Sequence, residues 1–295
     1  MLKITDLEKT TPNKLLMASV NLTLHEGEIF ALVGESQSGK SLLTKLILTL
    51  THKTKGKIKI PANQYVGAFI STEQLMPSIT VNMAIKDYYK LNDRVYNSKN
   101  VKNILSLFNL RKKLHCKISR LTPEECDLIK IALPLILRTD ILILDAPFVN
   151  LSNTNAKDLR VLLKKISNEL KTSILITASK ISQVEEFCDT IGVIDDGMII
   201  SIQSYNAMIS RELDSAKLGI TVAEPNYAAK VIEDNFKTPA RLCGDQVIVN
   251  LKPEHAQDVI DVLRKSNITV ISAQRVLRSL EHQYLELINK HKKYY

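Results

Sequence analysis

Residues 34–41 read Gly-Glu-Ser-Gln-Ser-Gly-Lys-Ser, the pattern G-x-x-x-x-G-K-[ST]. The glycines let a backbone wrap close to phosphate oxygens. Successive peptide N–H groups and the start of a following helix supply positive potential. Lys40 is spaced to reach the β- and γ-phosphates, and Ser41 to ligate Mg²⁺. The candidate nucleotide-binding set is therefore Gly34, Glu35, Ser36, Gln37, Ser38, Gly39, Lys40 and Ser41, and the ligands are ATP and Mg²⁺. The four fixed positions coincide by chance in roughly one sequence in a hundred of this length. A strand before the loop and a helix after it make chance a weaker explanation still.

A second landmark is Ile141-Leu142-Ile143-Leu144-Asp145. Four apolar residues ending in an acid put a carboxylate at the C-terminal edge of a buried strand, where a second Mg²⁺ ligand belongs. An acid after a strand is more often a turn residue or a helix cap. Joined to the loop, it makes Ser41 and Asp145 the candidate metal pair. No residue is assigned a catalytic role.

These groups need a framework. Leu2–Ile4, Val20–Leu24, Ile29–Val33, Lys57–Ile60 and Tyr65–Ile70 read as strands, and Ser41–Leu50 as a helix. Residues 72–138 turn helical, with Val101, Ile104, Leu105 and Phe108 at helical spacing. Ile141–Leu144 and Ser173–Thr177 are strands around a helix at Asp158–Leu170. Val184–Cys188 continues a helix, and Ile191–Ile194 and Ile199–Ile202 flank an Asp196-Gly197 hairpin turn. The alternation predicts an α/β class with a mostly parallel sheet and a helical insertion, and the Gly34–Ser41 motif makes it a P-loop NTPase core. From residue 215 the order β-α-β-β-α-β-α predicts a small ferredoxin-like α+β appendage. The expected domains are 1–214, with the helical subdomain at about 72–138, and 215–295.

Bulk properties narrow the function classes. Hydrophobic and charged residues at 45% and 24% are ordinary for a globular chain, which excludes a disordered scaffold. The net charge of +9 favours anionic partners or a lysine-rich solvated face. A nucleic-acid role rests on that charge alone. No aromatic-basic platform supports it, so no nucleic acid is expected as a partner. Cys116, Cys126, Cys188 and Cys243 form no C-x-x-C pair or zinc spacing and read as reduced thiols of a cytoplasmic protein. The opening Met1-Leu2-Lys3-Ile4 lacks the apolar run of a signal peptide, and no stretch has the length of a membrane span. A membrane role would then come through a partner.

The two motifs, their order and the helical insertion between them resemble the ATP-binding subunit of ABC transporters over about residues 1–210. Leu75-Met76-Pro77-Ser78-Ile79-Thr80-Val81 is similar to that family's stretch contacting the membrane subunit. Asp189-Thr190-Ile191-Gly192-Val193-Ile194-Asp195-Asp196-Gly197 is similar to its late strand hairpin. Arg278-Ser279-Leu280-Glu281-His282-Gln283-Tyr284-Leu285 resembles the C-terminal extension of drug, bacitracin and bacteriocin exporters.

The same resemblance marks a degenerate member. Where the family places a water-polarising Glu after the strand Asp, this chain has Ala146, which accepts no proton. The switch His falls on Ala178, the γ-phosphate Gln on Ser71 with Gln74 close by, and the loop Asp after the second motif on Ser152. The adenine-stacking aromatic falls near Thr11, with no aromatic before Phe30. Its loss weakens adenine binding by about 1–3 kcal/mol. The signature Leu-Ser-Gly-Gly-Gln aligns with Leu121-Thr122-Pro123-Glu124-Glu125. Read locally, that segment is a helix cap: Thr at N-cap, Pro at N1, Glu at N3.

The resemblance thus implies an ATP-binding subunit on the cytoplasmic face of the membrane. It is peripheral through a membrane-spanning permease, with export as the direction and the segment near 72–120 as the docking surface. Ala146 and Ala178 imply weak or absent hydrolysis, since losing a positioned base costs about 10²–10⁴-fold. Head-to-tail pairing then favours a heterodimer with an ATPase-competent homologue, because a homodimer has two dead sites. The alternative is a non-transport regulatory or immunity protein that binds ATP and acts by association.

Overall fold

A computed structural model describes residues 1–214, 217–251, 253–276 and 280–294. The chain opens with strands β1 (Leu2–Thr11), β2 (Lys14–Leu24) and β3 (Ile29–Val33), then helix α1 (Lys40–Ile47). Strands β4 (Lys55–Lys59) and β5 (Val66–Ile70) lead into three helices, α2 (Val81–Leu91), α3 (Ser98–Leu107) and α4 (Pro123–Ile136). Next come β6 (Ile141–Asp145), α5 (Asn153–Leu170), β7 (Ser173–Ala178), β8 (Thr190–Asp195), β9 (Met198–Ser204) and α6 (Tyr205–Asp214).

The main sheet has six strands in the order β5-β6-β7-β3-β8-β9. All neighbours are parallel except β8 and β9. Every residue of β3, β6 and β7 is buried. That explains their unbroken apolar runs: a parallel sheet covered on both faces offers no wet side for alternation. One cover is α5, whose Leu159, Leu162, Leu163 and Ile166 recur at helical spacing and are buried. On the other side lie α1 and an antiparallel sheet, β2-β1-β4, whose Leu2, Ile4, Leu22 and Leu24 join Phe30, Leu32, Leu43 and Leu46 in one core. Each such side chain contributes about 1.5–3 kcal/mol by leaving water. This packing holds the ends of β3, β6 and β7 together at one edge.

One expected helix is absent. Val184–Cys188 follows a short 3₁₀ turn at Ile181–Gln183 and runs as turns. Val184, Phe187 and Cys188 are buried, so the apolar pattern is real. Glu186 has φ +70, a left-handed conformation through which an α-helix of L-residues does not continue.

A second unit comprises β10 (Lys217–Val222), α7 (Pro225–Phe236), β11 (Ala240–Cys243), β12 (Gln246–Val249), α8 (Ala256–Lys265), β13 (Val270–Val276) and the start of α9 (Leu280–Tyr294). Its strand order β11-β12-β10-β13, antiparallel throughout, is the ferredoxin-like arrangement. Leu218, Ile220 and Val222 pack with Val231, Ile232, Val259 and Leu263 in a core of its own. The compact units are Met1–Tyr205 with Leu287–Tyr295, and Asn206–Glu286. That division differs from a cut at 214/215. Met208 accepts a hydrogen bond from Gln283 within the second unit, while the last turns of α9 contact Glu35 and Asp195 of the first. Of the tail segment resembling exporter extensions, Arg278 and Ser279 lie outside the described residues. Among the described residues, no helix is long and apolar enough to cross a membrane.

Candidate functional site

At the end of β3 the chain turns sharply at Gly34. A Cβ there would lie 2.3 Å from the Ile194 carbonyl oxygen and 2.4 Å from Ser38 Oγ, so only glycine fits. The Gly34 N–H donates to the Ala178 carbonyl at 3.2 Å, tying the loop to the end of β7. Gly39 has φ +107 and caps α1 without any side-chain cap bond. No acid lies in the first turn of α1. The positive end of this helix therefore faces the loop with no capping side chain and no acid in its own first turn.

Lys40 folds back into the loop. Its Nζ donates to the carbonyls of Gly34 (2.7 Å) and Glu35 (2.6 Å) and to Ser38 Oγ (3.2 Å). Burial pushes its ammonium below the ordinary lysine range, against the pull of Asp145 and Glu35. Ser41 Oγ donates to Asp145 Oδ1 at 3.2 Å. Asp145 is 2% exposed, at the end of β6. The structure thus brings the loop, Lys40, Ser41 and Asp145 together.

The same place collects groups outside the motif. Thr177 Oγ1 donates to Asp145 Oδ1 at 2.7 Å and accepts the Ala146 N–H at 2.9 Å. Lys14, Leu16, Asp196 and Gly197 join Gln37, Gly39, Lys40, Ser41 and Leu42 around a cleft of about 230 Å³. Gly197 sits at φ +76, where a Cβ would meet the Leu16 carbonyl oxygen at 2.2 Å. On the far side of the loop, Lys292 of α9 pairs with Glu35 at 3.0 Å, and His291 Nδ1 lies 3.2 Å from Asp195 Oδ2. Thr177 had one sequence signal, a hydroxyl directly after the apolar run Ile174-Leu175-Ile176. The hairpin and tail residues had none.

Peptide N–H groups, an ammonium, hydroxyls and one carboxylate are the donor set for a phosphate accompanied by a hard cation. The backbone turn, closed to any Cβ, and the uncapped helix start fit such a group. Asp145 and Ser41 carry the oxygens that would ligate such a cation, and Lys40 with the loop would cradle such an anion.

Ala146 follows Asp145 with φ +52, and Ala178 ends β7 at 2% exposure. Neither carries a proton donor or acceptor on its side chain. Thr122 caps α4 in a complete capping box: its Oγ1 accepts the Glu125 N–H, and Glu125 accepts the Thr122 N–H. Glu125 also pairs with Lys113 at 2.9 Å. Glu124 accepts from the Ser152 N–H and Asn155 Nδ2, both at 2.7 Å, and so ties α4 to the start of α5. These bonds hold both carboxyls below the ordinary Glu range, with the Ser152 backbone bond leading for Glu124 and the Lys113 bond for Glu125. Gln74 is exposed in the turn after β5. That turn is held by Lys130 of α4, which donates to the Ser71 and Glu73 carbonyls and pairs with Asp127 at 2.6 Å.

Comparison with known proteins points to the same family as the sequence resemblance. The ABC transporter family matches residues 17–149. The uncharacterized ABC transporter ATP-binding protein YhcH of Bacillus subtilis (strain 168) is 22% identical over 302 residues, covering 99% of this chain and 97% of that protein. The bacitracin transport ATP-binding protein BcrA of Enterococcus faecalis is 26% identical over 239 residues, 78% of this chain and 75% of that protein. A bacterial ABC transporter cassette solved as a dimer superposes with a TM-score of 0.64 at 22% identity, covering 70% of this chain and 99% of that chain. The structural likeness is one of fold.

Proposed function

We propose, from the premise that this chain is an ATP-binding subunit of the ABC transporter family, that it holds Mg-ATP at Gly34–Ser41 and turns it over weakly or not at all. The observation that carries this reading is the contrast on two paired strands. β6 ends in Asp145, within reach of Ser41, and the next residue is Ala146. β7 ends in Ala178. The cradle is complete, while the two positions that would activate a water carry methyl groups.

In this reading the loop N–H groups and Lys40 bind and orient the phosphates. Ser41 and Asp145 hold Mg²⁺, which supplies charge to neutralise phosphate oxygens. Binding survives because it needs fixed dipoles and a cation. Hydrolysis is slow because Ala146, the residue after Asp145, cannot take the water's proton.

The subunit works at the cytoplasmic face of a membrane, bound to a permease and paired with a competent homologue. The exposed apolar residues Met76, Met83, Leu91 and Val95 on and before α2 and in the turn after it support docking through the helical insertion. Export as the direction is supported by the likeness to the bacitracin transport protein BcrA.

The test is Mg-ATP hydrolysis by the complex isolated from its native membrane, beside a Lys40→Ala form of this chain. Activity unchanged by Lys40→Ala assigns turnover to the partner and supports the reading. Activity abolished by Lys40→Ala shows that nucleotide held here either reacts or licenses the partner's site. Single-turnover measurement on the isolated chain separates these, and rapid turnover there overturns the proposal.

A further inference from the structure

We infer that Thr177 is a positioning residue for the divalent cation, aiming the Asp145 carboxylate from the neighbouring strand. This rests on the reading above that Ser41 and Asp145 hold Mg²⁺.

Thr177 is fully buried on β7. Its hydroxyl has one proton, which goes to Asp145 Oδ1 at 2.7 Å. The oxygen accepts the Ala146 N–H at 2.9 Å. Its rotor is therefore fixed from two sides, and its branched Cβ restricts χ1 as well. One side chain thus holds the carboxylate of residue 145 and the peptide that follows it.

Two further facts give this arrangement consequence. Ser41 Oγ donates to the same Asp145 oxygen at 3.2 Å, so Thr177 and Ser41 together define how that carboxylate is turned. Ala146 stands at φ +52, a left-handed conformation unfavourable for a residue with a Cβ, and it persists where surrounding bonds over-determine it. The Thr177 bond to its N–H is one of them. Without the hydroxyl, the carboxylate gains rotational freedom and the 145–146 peptide loses its anchor. Outer-shell bonds of this kind typically set metal affinity by 10–100-fold.

Thr177 bonds Asp145 and the Ala146 N–H and is not among the residues lining the cleft beside Lys40 and Ser41. Its removal should act through the cation and leave metal-free nucleotide binding alone.

The experiment titrates a fluorescent ATP analogue into the purified full chain, in EDTA and across a Mg²⁺ series. It compares wild type, Thr177→Val, Thr177→Ala, Thr177→Ser and Asp145→Asn. Thr177→Val keeps the shape and removes the hydroxyl. It is expected to raise the Mg²⁺ concentration for half-maximal enhancement at least about tenfold, with affinity in EDTA unchanged. Thr177→Ser, which keeps the hydroxyl, is expected to restore wild-type behaviour. Thr177→Ala serves if Thr177→Val does not fold, and is expected to match it. A Mg²⁺ requirement unaltered in the Val or Ala form, or an equal loss of affinity with and without Mg²⁺, overturns the inference. Failure of the underlying reading looks different: Asp145→Asn would then leave the Mg²⁺ requirement untouched.

Discussion

Two helix N-termini in this chain are finished in opposite ways. α1 begins after Gly39, with no side-chain cap and no acid in its first turn. α4 begins after Thr122, with a full capping box, Pro123 at the first position, and Glu124 and Glu125 in the first turn. Both ends present the same surplus of N–H groups and the same positive pole. At α1 that surplus is turned toward a glycine-lined loop and left for an anion. At α4 the Thr122 side chain takes the Glu125 N–H, Pro123 has no N–H to offer, and two carboxylates lie in the first turn. The difference teaches how a helix end becomes a binding site: the chain withholds its own acceptors there. By that measure the function proposed above assigns phosphate to α1, while the capping box of α4 holds structure.

The largest expected effect tests the receiving end. Lys40→Ala should cost about 2–5 kcal/mol of nucleotide affinity, as for other desolvated charge partners, which isothermal calorimetry reads directly. Binding at wild-type strength would mean that α1 is not the anion site.

Next, Thr122→Ala should leave nucleotide affinity unchanged and cost about 1 kcal/mol of stability in urea unfolding, the usual worth of an N-cap. A loss of nucleotide affinity in the isolated chain instead would erase the distinction between the two ends.

A smaller effect follows from pH. The carboxyls of Glu124 and Glu125 titrate below the ordinary Glu range when folded. Their contribution is therefore present above the unfolded value and lost as pH falls through the lowered one. Because both are surface groups, the loss is modest. Thermal unfolding from neutral to acid pH should show a shallower acid decline in Glu124→Gln than in wild type. Equal declines would mean that Glu124 does not hold α4 to α5.

The smallest effect concerns the tail at the receiving end. Lys292 and Glu35 pair on an exposed edge of the loop, with side chains about half exposed. Lys292→Ala should alter nucleotide affinity slightly at low salt and not at all at high salt, where the pair is screened. A change that persists in salt would show that the tail shapes the loop itself.

What the sequence by itself determined was local. The spacing of Gly34, Gly39, Lys40 and Ser41 specifies a backbone turn, and the run ending in Asp145 specifies a buried strand edge, because both follow from neighbours along the chain. The Thr122–Glu125 cap was readable for the same reason. So were the parallel sheet and the ferredoxin-like appendage, since period and order set them. The helix expected at Val184–Cys188 was not formed, because buried apolar spacing alone cannot report a left-handed residue at Glu186. Only the tertiary structure decided that Thr177 meets Asp145, 32 residues away, and that Lys292 meets Glu35 across 257 residues. Sheet order and the return of the last helix create those contacts. Each joins residues whose types are common everywhere in a chain, so no local pattern distinguishes them until the fold sets them side by side.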